Sequence, residues 1–152
     1  MQYEQLLLKN QLCFPIYACS REIIKAYKPF LDEIGLTYTQ YIVMMVLWEC
    51  GSVTAKALGS ELHLDSGTLT PLLKRLEGGG LLTRARAVDD ERSLIVSLTE
   101  QGAALEARAA DIPRRMGACV DLSADEAATL YRLLYRVLGN VAHTCTTETH
   151  GN

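Results

Sequence analysis

Apolar positions recur every three or four residues through most of the chain and every second residue in one stretch. Leu69, Leu72, Leu73 and Leu76 make a single stripe. Asp65 can cap the start of that helix and Gly78–Gly80 stops it. Upstream, Leu6, Leu7, Leu8 and Leu12 suggest a short amphipathic helix or arm. A helix is then predicted from around Pro15 to about Tyr27, ending near Lys28-Pro29, with a turn at Gly35. Thr37-Tyr38-Thr39-Gln40 has the form of a capping box. It opens a helix that is apolar nearly all round, runs to Cys50-Gly51, and should therefore be central.

Ser52 or Thr54 can cap a short helix, Ala55–Leu62, and the turn His63-Leu64-Asp65 leads into the leucine-striped helix. Leu94, Val96 and Leu98 alternate with Ile95 and Ser97, so Leu81–Val88 and Leu94–Leu98 read as paired strands. Thr99 caps a helix expected to reach about Met116, interrupted at Pro113, and Ser123–Glu126 is a second capping box. The helix it opens carries Leu130, Leu133, Leu134, Val137, Leu138 and Val141. The expected fold is mainly α with a small β-wing: a winged helix-turn-helix with N- and C-terminal dimerisation helices. It reads as a single domain, with the DNA-binding lobe at about 36–99, dimerisation helices at about 1–35 and 100–143, and a polar tail at 144–152.

Composition narrows the partners. The 152 residues carry a net charge of −3, which argues against indiscriminate coating of nucleic acid. The stretch from Lys74 to Arg86, however, sets Lys74, Arg75, Arg84 and Arg86 against Glu77 alone, a local basic patch suited to specific, salt-sensitive DNA binding. Ser66, Thr68 and Thr70 put short hydroxyls near the start of the same helix, as base edges and phosphates require. Arg92, at the tip of the paired strands, can enter a minor groove, and Asp90 could hold its guanidinium in one pose. A solvated helix and a mixed-charge hairpin tip are the plain alternatives. No run is long enough to span a membrane and no leader opens the chain, so a cytoplasmic location is expected.

The five cysteines, Cys13, Cys19, Cys50, Cys119 and Cys145, are odd in number and irregularly spaced, so a structural disulfide framework is not expected. Pro15 suits a first helical turn, which places Cys13 at or just before a helix N-terminus, where amide dipoles favour a thiolate. The alternative is a kinked helix with Cys13 as an inert small hydrophobe. Tyrosines crowd the first third of the chain, and hydroxyls converging on one thiol would stabilise its anion. Cys119 is expected in the connection between the last two helices. His143, Cys145 and His150 form a weak pattern for zinc; no metal, cofactor or catalytic residue is expected.

The order helix, helix, helix-turn-helix, wing, two long helices resembles the MarR family of dimeric regulators. The segments Asn10–Phe14, Ser20-Arg21-Glu22, Tyr27-Lys28-Pro29, Tyr38–Tyr41, Leu64–Pro71 and Asp90–Ser93 resemble its organic hydroperoxide resistance repressors more closely. That resemblance implies that Cys13 is a peroxide sensor. It implies that Tyr27 and Tyr38 hydrogen-bond the sensor thiol, with Tyr17 close by. It also implies that Arg92 enters the minor groove within an Asp-x-Arg pattern. It further implies a homodimer on double-stranded operator DNA, released by an organic hydroperoxide, with Cys119 of the other subunit closing a disulfide. An apolar lining from Phe14, Ile16, Met44 and Met45 would then favour alkyl peroxides over hydrogen peroxide. A one-cysteine sensor capped by a small thiol, a regulator answering to a phenolic ligand, a thiol peroxidase and a non-DNA scaffold are the alternatives.

Overall fold

A computed structural model of the chain describes residues 3–88, 90 and 92–147, with side chains as far as residue 142. Two single 3-10 turns, Glu4–Leu6 and Leu8–Asn10, precede α1 (Cys13–Asp32), α2 (Tyr38–Cys50), β1 (Ser52–Thr54), α3 (Ala55–Glu61) and α4 (Ser66–Gly78). Then follow β2 (Leu82–Arg86), β3 (Leu94–Leu98), α5 (Glu100–Ala109), α6 (Ile112–Val120) and α7 (Ala124–Thr147). The chain divides into two compact units at Pro113/Arg114.

The first unit is built around α2 and α4. Tyr41, Val43, Met44 and Leu47 of α2 are buried, as its all-round apolar character requires. They share one core with Leu58 of α3, Leu69, Leu72, Leu73 and Leu76 of α4, Leu82, Val96 and Leu105. The three strands are antiparallel in the order β1-β3-β2, with Val53 opposite Val96 and Arg84 also opposite Val96. β1 was not expected: Ser52 reads as a helix cap, but it pairs with Ser97, forty-five residues away, through a 2.9 Å hydroxyl contact. Thr54 alone caps α3, accepting from the Ala57 amide at 3.1 Å.

Three boundaries differ from the sequence reading. α1 does not stop at Lys28-Pro29 but runs through Pro29 to Asp32. Proline costs the helix one hydrogen bond there, but burial of Leu31 and the Lys28–Asp32 ion pair hold the last turn. The helix after Thr99 is interrupted near Pro113 as expected, Pro113 sitting in the first turn of α6, where its missing N–H costs nothing, but α6 runs past Met116 to Val120. Cys119 therefore lies in the last turn of α6 rather than in the connection, which is only 121–123.

The second unit contains α7, opened by the expected capping box: the Ser123 hydroxyl and amide both donate to Glu126 Oε2, at 2.6 and 2.9 Å. Its stripe of Leu130, Leu133, Leu134, Val137, Leu138 and Val141 is exposed. So are Leu6, Leu8, Leu12, Phe14 and Ile16 around the start of α1. No helix among the described residues is long and apolar enough to cross a membrane.

Candidate nucleic-acid interface and thiol site

Asp65 sets the recognition helix. Its Oδ1 accepts from the Thr68 amide and its Oδ2 from the Thr68 hydroxyl, both at 2.9 Å, which holds the carboxyl below its ordinary range. Four leucines turn into the core, leaving Ser66, Thr68, Thr70, Lys74 and Arg75 on the exposed face. Between α3, α4 and the sheet lies an open groove of about 690 Å³. Ser66, Thr70 and Arg84 line it together with Lys56, Ser60 and His63. The last three were missed as candidates because they sit on α3 and in the turn, outside the leucine-striped segment. His63 is exposed at a φ of 51° in the turn between the two helices.

The wing departs from expectation in two respects. Asp90 does not hold the Arg92 guanidinium. Its Oδ1 accepts from the Arg92 amide at 3.0 Å and its Oδ2 from the Ser93 hydroxyl at 2.8 Å, so the carboxylate stiffens the turn backbone instead. Those bonds, the Ser93 hydroxyl first, lower its proton affinity. Arg92 itself is exposed, and Arg86 donates to its carbonyl at 3.4 Å. Arg84, expected among the free DNA-facing cations, is paired instead. Its Nη2 and Nε lie 2.7 and 3.0 Å from Glu77 Oε2, and its amide donates to Glu77 Oε1 at 3.0 Å. The ion pair forms because β2 returns alongside the last turn of α4, which charge counting along the chain does not show. Asp89 and Glu91, on either side of Asp90 in the sequence, lie outside the described residues.

Cys13 is the first residue of α1 and is exposed. Pro15 stands in the first turn, as one of the two sequence readings required, and that turn carries no acidic residue. The tyrosines are split. Tyr27, Tyr38 and Tyr41 stack in a cluster, with ring centroids 5.0 Å apart for Tyr27–Tyr38 and 5.9 Å for Tyr27–Tyr41. Burial, then the neighbouring phenols, raise the Tyr27 pKa, and burial with Tyr38 does the same for Tyr41. The Tyr27 and Tyr41 phenols therefore stay protonated and able to donate. Within one chain the cluster does not meet the thiol. Cys13 and Tyr27 are fourteen positions apart on α1, about 21 Å at 1.5 Å per residue. Tyr17, one turn from Cys13, is taken up by Arg21, whose Nη1 donates to its hydroxyl at 2.7 Å.

Of the other cysteines, Cys19, Cys50 and Cys119 are exposed, and the Cys50 thiol donates to the Val46 carbonyl at 3.0 Å. Met44, which reads as part of an apolar lining for an alkyl peroxide, is wholly buried in the core, whereas Phe14, Ile16 and Met45 are exposed. No group of metal-ligating side chains occurs among the described residues. The zinc pattern of His143, Cys145 and His150 lies outside the residues whose side chains are described.

The family model for the transcriptional regulator SarA/Rot matches residues 25–107. The organic hydroperoxide resistance transcriptional regulator of Bacillus subtilis (strain 168) is 47% identical over 137 residues, covering 90% of this chain and 93% of the relative. Reduced AbfR bound to DNA, a protein of Staphylococcus epidermidis, matches with a TM-score of 0.76 and 37% identity over 93% of this chain and 99% of that one. Disulfide-formed AbfR matches with a TM-score of 0.62 and 36% identity, over 92% and 95%. A helix-turn-helix with its wing, matched over nearly its whole length by regulators of one kind, shows that this chain belongs to the MarR family of winged-helix, DNA-binding transcriptional regulators, in its organic hydroperoxide resistance branch.

Proposed function

We propose that the chain is a redox-sensing repressor that binds operator DNA as a homodimer and lets go when Cys13 is oxidised by an organic hydroperoxide. The observation that carries this reading is an exposed thiol at an acid-free helix start on a chain that also carries a recognition helix and wing. The relatives add support: one is named for organic hydroperoxide resistance, and AbfR is known both reduced on DNA and disulfide-formed.

Dimerisation is supported by the apolar stripe of α7 and the leucines before α1, too much exposed hydrocarbon for a lone chain. It also removes the difficulty at the thiol. Tyr27 lies about 21 Å along α1 from its own Cys13. A second copy running the opposite way would bring its Tyr27 and Tyr38 to that sulfur. Each recognition helix then enters a major groove through Ser66, Thr68, Thr70, Lys74 and Arg75, and each Arg92 an adjacent minor groove. Lys56, Ser60 and His63 border the same groove and add contacts to the phosphate backbone.

In the chemistry, the Cys13 thiolate attacks the terminal peroxide oxygen. The O–O bond breaks, the sulfur becomes a sulfenic acid and an alkoxide leaves to take up a proton. The Cys119 thiol of the second copy condenses with the sulfenic acid, forming the S–S bond and releasing water. Drawing two cysteines within the roughly 7 Å Cα separation that a disulfide allows moves the helices carrying them, and with them the spacing of the recognition helices.

The test is a gel shift on operator DNA with reduced protein and with protein treated with cumene hydroperoxide. Cys13→Ser should bind and stay bound. Release of Cys13→Ser by peroxide would remove the sensor assignment. Wild-type release by Cys119→Ser, with no reducible dimer band, would leave a one-cysteine sensor. A second reading rests on a surface pocket of about 290 Å³ lined by Tyr41, Met45, Trp48 and Glu49. Release by salicylate without any oxidant would favour a phenolic effector there.

A further inference from the structure

We propose that the Glu77–Arg84 pair is the strut that fixes the wing relative to the recognition helix, making Glu77 a positioning residue for groove entry by Arg92. The proposal rests on the reading of Arg92 as the wing's DNA contact.

The link between α4 and β2 is a weak joint. It consists of Gly79-Gly80-Leu81, and Gly80 has a φ of +74°, where only glycine is unstrained. Thr99 and Gln101 bind the carbonyls of Gly80 and Gly79, at 2.6 and 3.2 Å. These contacts tie the joint to the start of α5, but they act below the wing. Beyond the joint, Glu77 on the last turn of α4 reaches the middle of β2. β2 is an edge strand, and the Arg84 amide points away from β3 to the open side, where Glu77 Oε1 receives it. Oε2 takes the guanidinium through two N–H groups. One carboxylate thus satisfies an edge amide and a cation together. The arginine side chain is only 18% exposed, so solvent screens the pair less than an ordinary surface bridge. Hydrogen bonds from Arg84 keep the Glu77 carboxyl ionised well below its ordinary range.

The leverage follows from geometry. From Arg84 to Val88, two residues past the end of β2, is about 13 Å at 3.3 Å per residue of extended chain, and the turn adds more. A tilt of about 10° at Arg84 would displace the tip by about 2 Å, more than the tolerance of a hydrogen bond. Asp90 and Arg86 stiffen the tip itself, so the ribbon moves as a unit and its aim is decided at its base.

The experiment is a double-mutant cycle on DNA affinity, using reduced full-length protein and a duplex selected from a random pool by the wild type. Arg92→Ala should weaken wild-type binding about tenfold or more, the scale of one lost base-edge or groove contact. In the Glu77→Gln background, which leaves an acceptor for the Arg84 amide but no charge, the same change should cost under about threefold. Arg84→Lys, which retains charge but not the fork, should behave likewise and replaces Glu77→Gln if that variant does not fold. Equal Arg92→Ala penalties in all backgrounds would overturn the proposal, because loss of stability alone leaves the two effects additive. If the wild type selects no duplex at all, the DNA contact of Arg92 falls first and the strut's role falls with it.

Discussion

Replacing Gly102 by alanine sets two rules against each other. Gly102 is the third residue of α5, and helix propensity favours alanine over glycine there by about 1 kcal/mol. Packing opposes it. A Cβ at this position would lie 2.1 Å from the Leu81 carbonyl oxygen and 2.8 Å from Leu98 Cδ1. The carbonyl is not free to retreat, since it accepts the Thr99 amide at 3.2 Å. The Gly102 carbonyl in turn receives the Trp48 indole N–H at 2.9 Å. Overpacking costs about 1–3 kcal/mol and a lost hydrogen bond about 0.5–1.5 kcal/mol. These outweigh the propensity gain, leaving a net loss of about 2 kcal/mol, or roughly 4–8 °C in Tm for a chain of this size. Trp48 is the sole tryptophan, so its fluorescence reports both unfolding and the contact itself. Urea unfolding of the two proteins at matched concentration measures the difference. A Gly102→Ala variant within 0.5 kcal/mol of wild type, with unchanged emission, would refute the argument that backbone proximity decides this position.

Two further outcomes are expected. Thr37→Ala removes the oxygen that receives the Gln40 amide and one half of the box in which Gln40 Oε1 accepts the Thr37 amide at 2.8 Å; it should cost about 1 kcal/mol in urea unfolding. Asp65, Asp90 and Glu126 are held below their ordinary carboxylate range by hydrogen bonds from Thr68, Ser93 and Ser123. Near pH 4 and below, the unfolded chain therefore binds more protons than the folded one. Their contribution should be fully present above about pH 5 and lost as pH falls through and below about 4, and Asp65→Asn should make that acid limb shallower in thermal melts followed across pH.

The features legible in the chain are those made by residues three or four apart. The Thr37–Gln40 and Ser123–Glu126 boxes, the Asp65 cap and the leucine stripe of α4 are contacts within one helical turn, so spacing alone determines them. The helix-turn-helix and β-hairpin followed from those local signals. Tertiary structure decided what depended on elements meeting. Arg84 is a free cation until β2 folds back on α4 and Glu77 takes it. Met44 resembles a pocket lining until α2 becomes the centre of the core. Ser52 resembles a cap until β3 arrives as its partner, and Pro29 a stop until burial of Leu31 outweighs the lost hydrogen bond. Cys13 and Tyr27, joined in one site only by the family resemblance, lie about 21 Å apart along the helix the periodicity predicts, so a single chain does not bring them together. Periodicity reports which face of an element is apolar. Which groups that face brings together is settled only when the elements pack, because pairing and burial are set by long-range contacts.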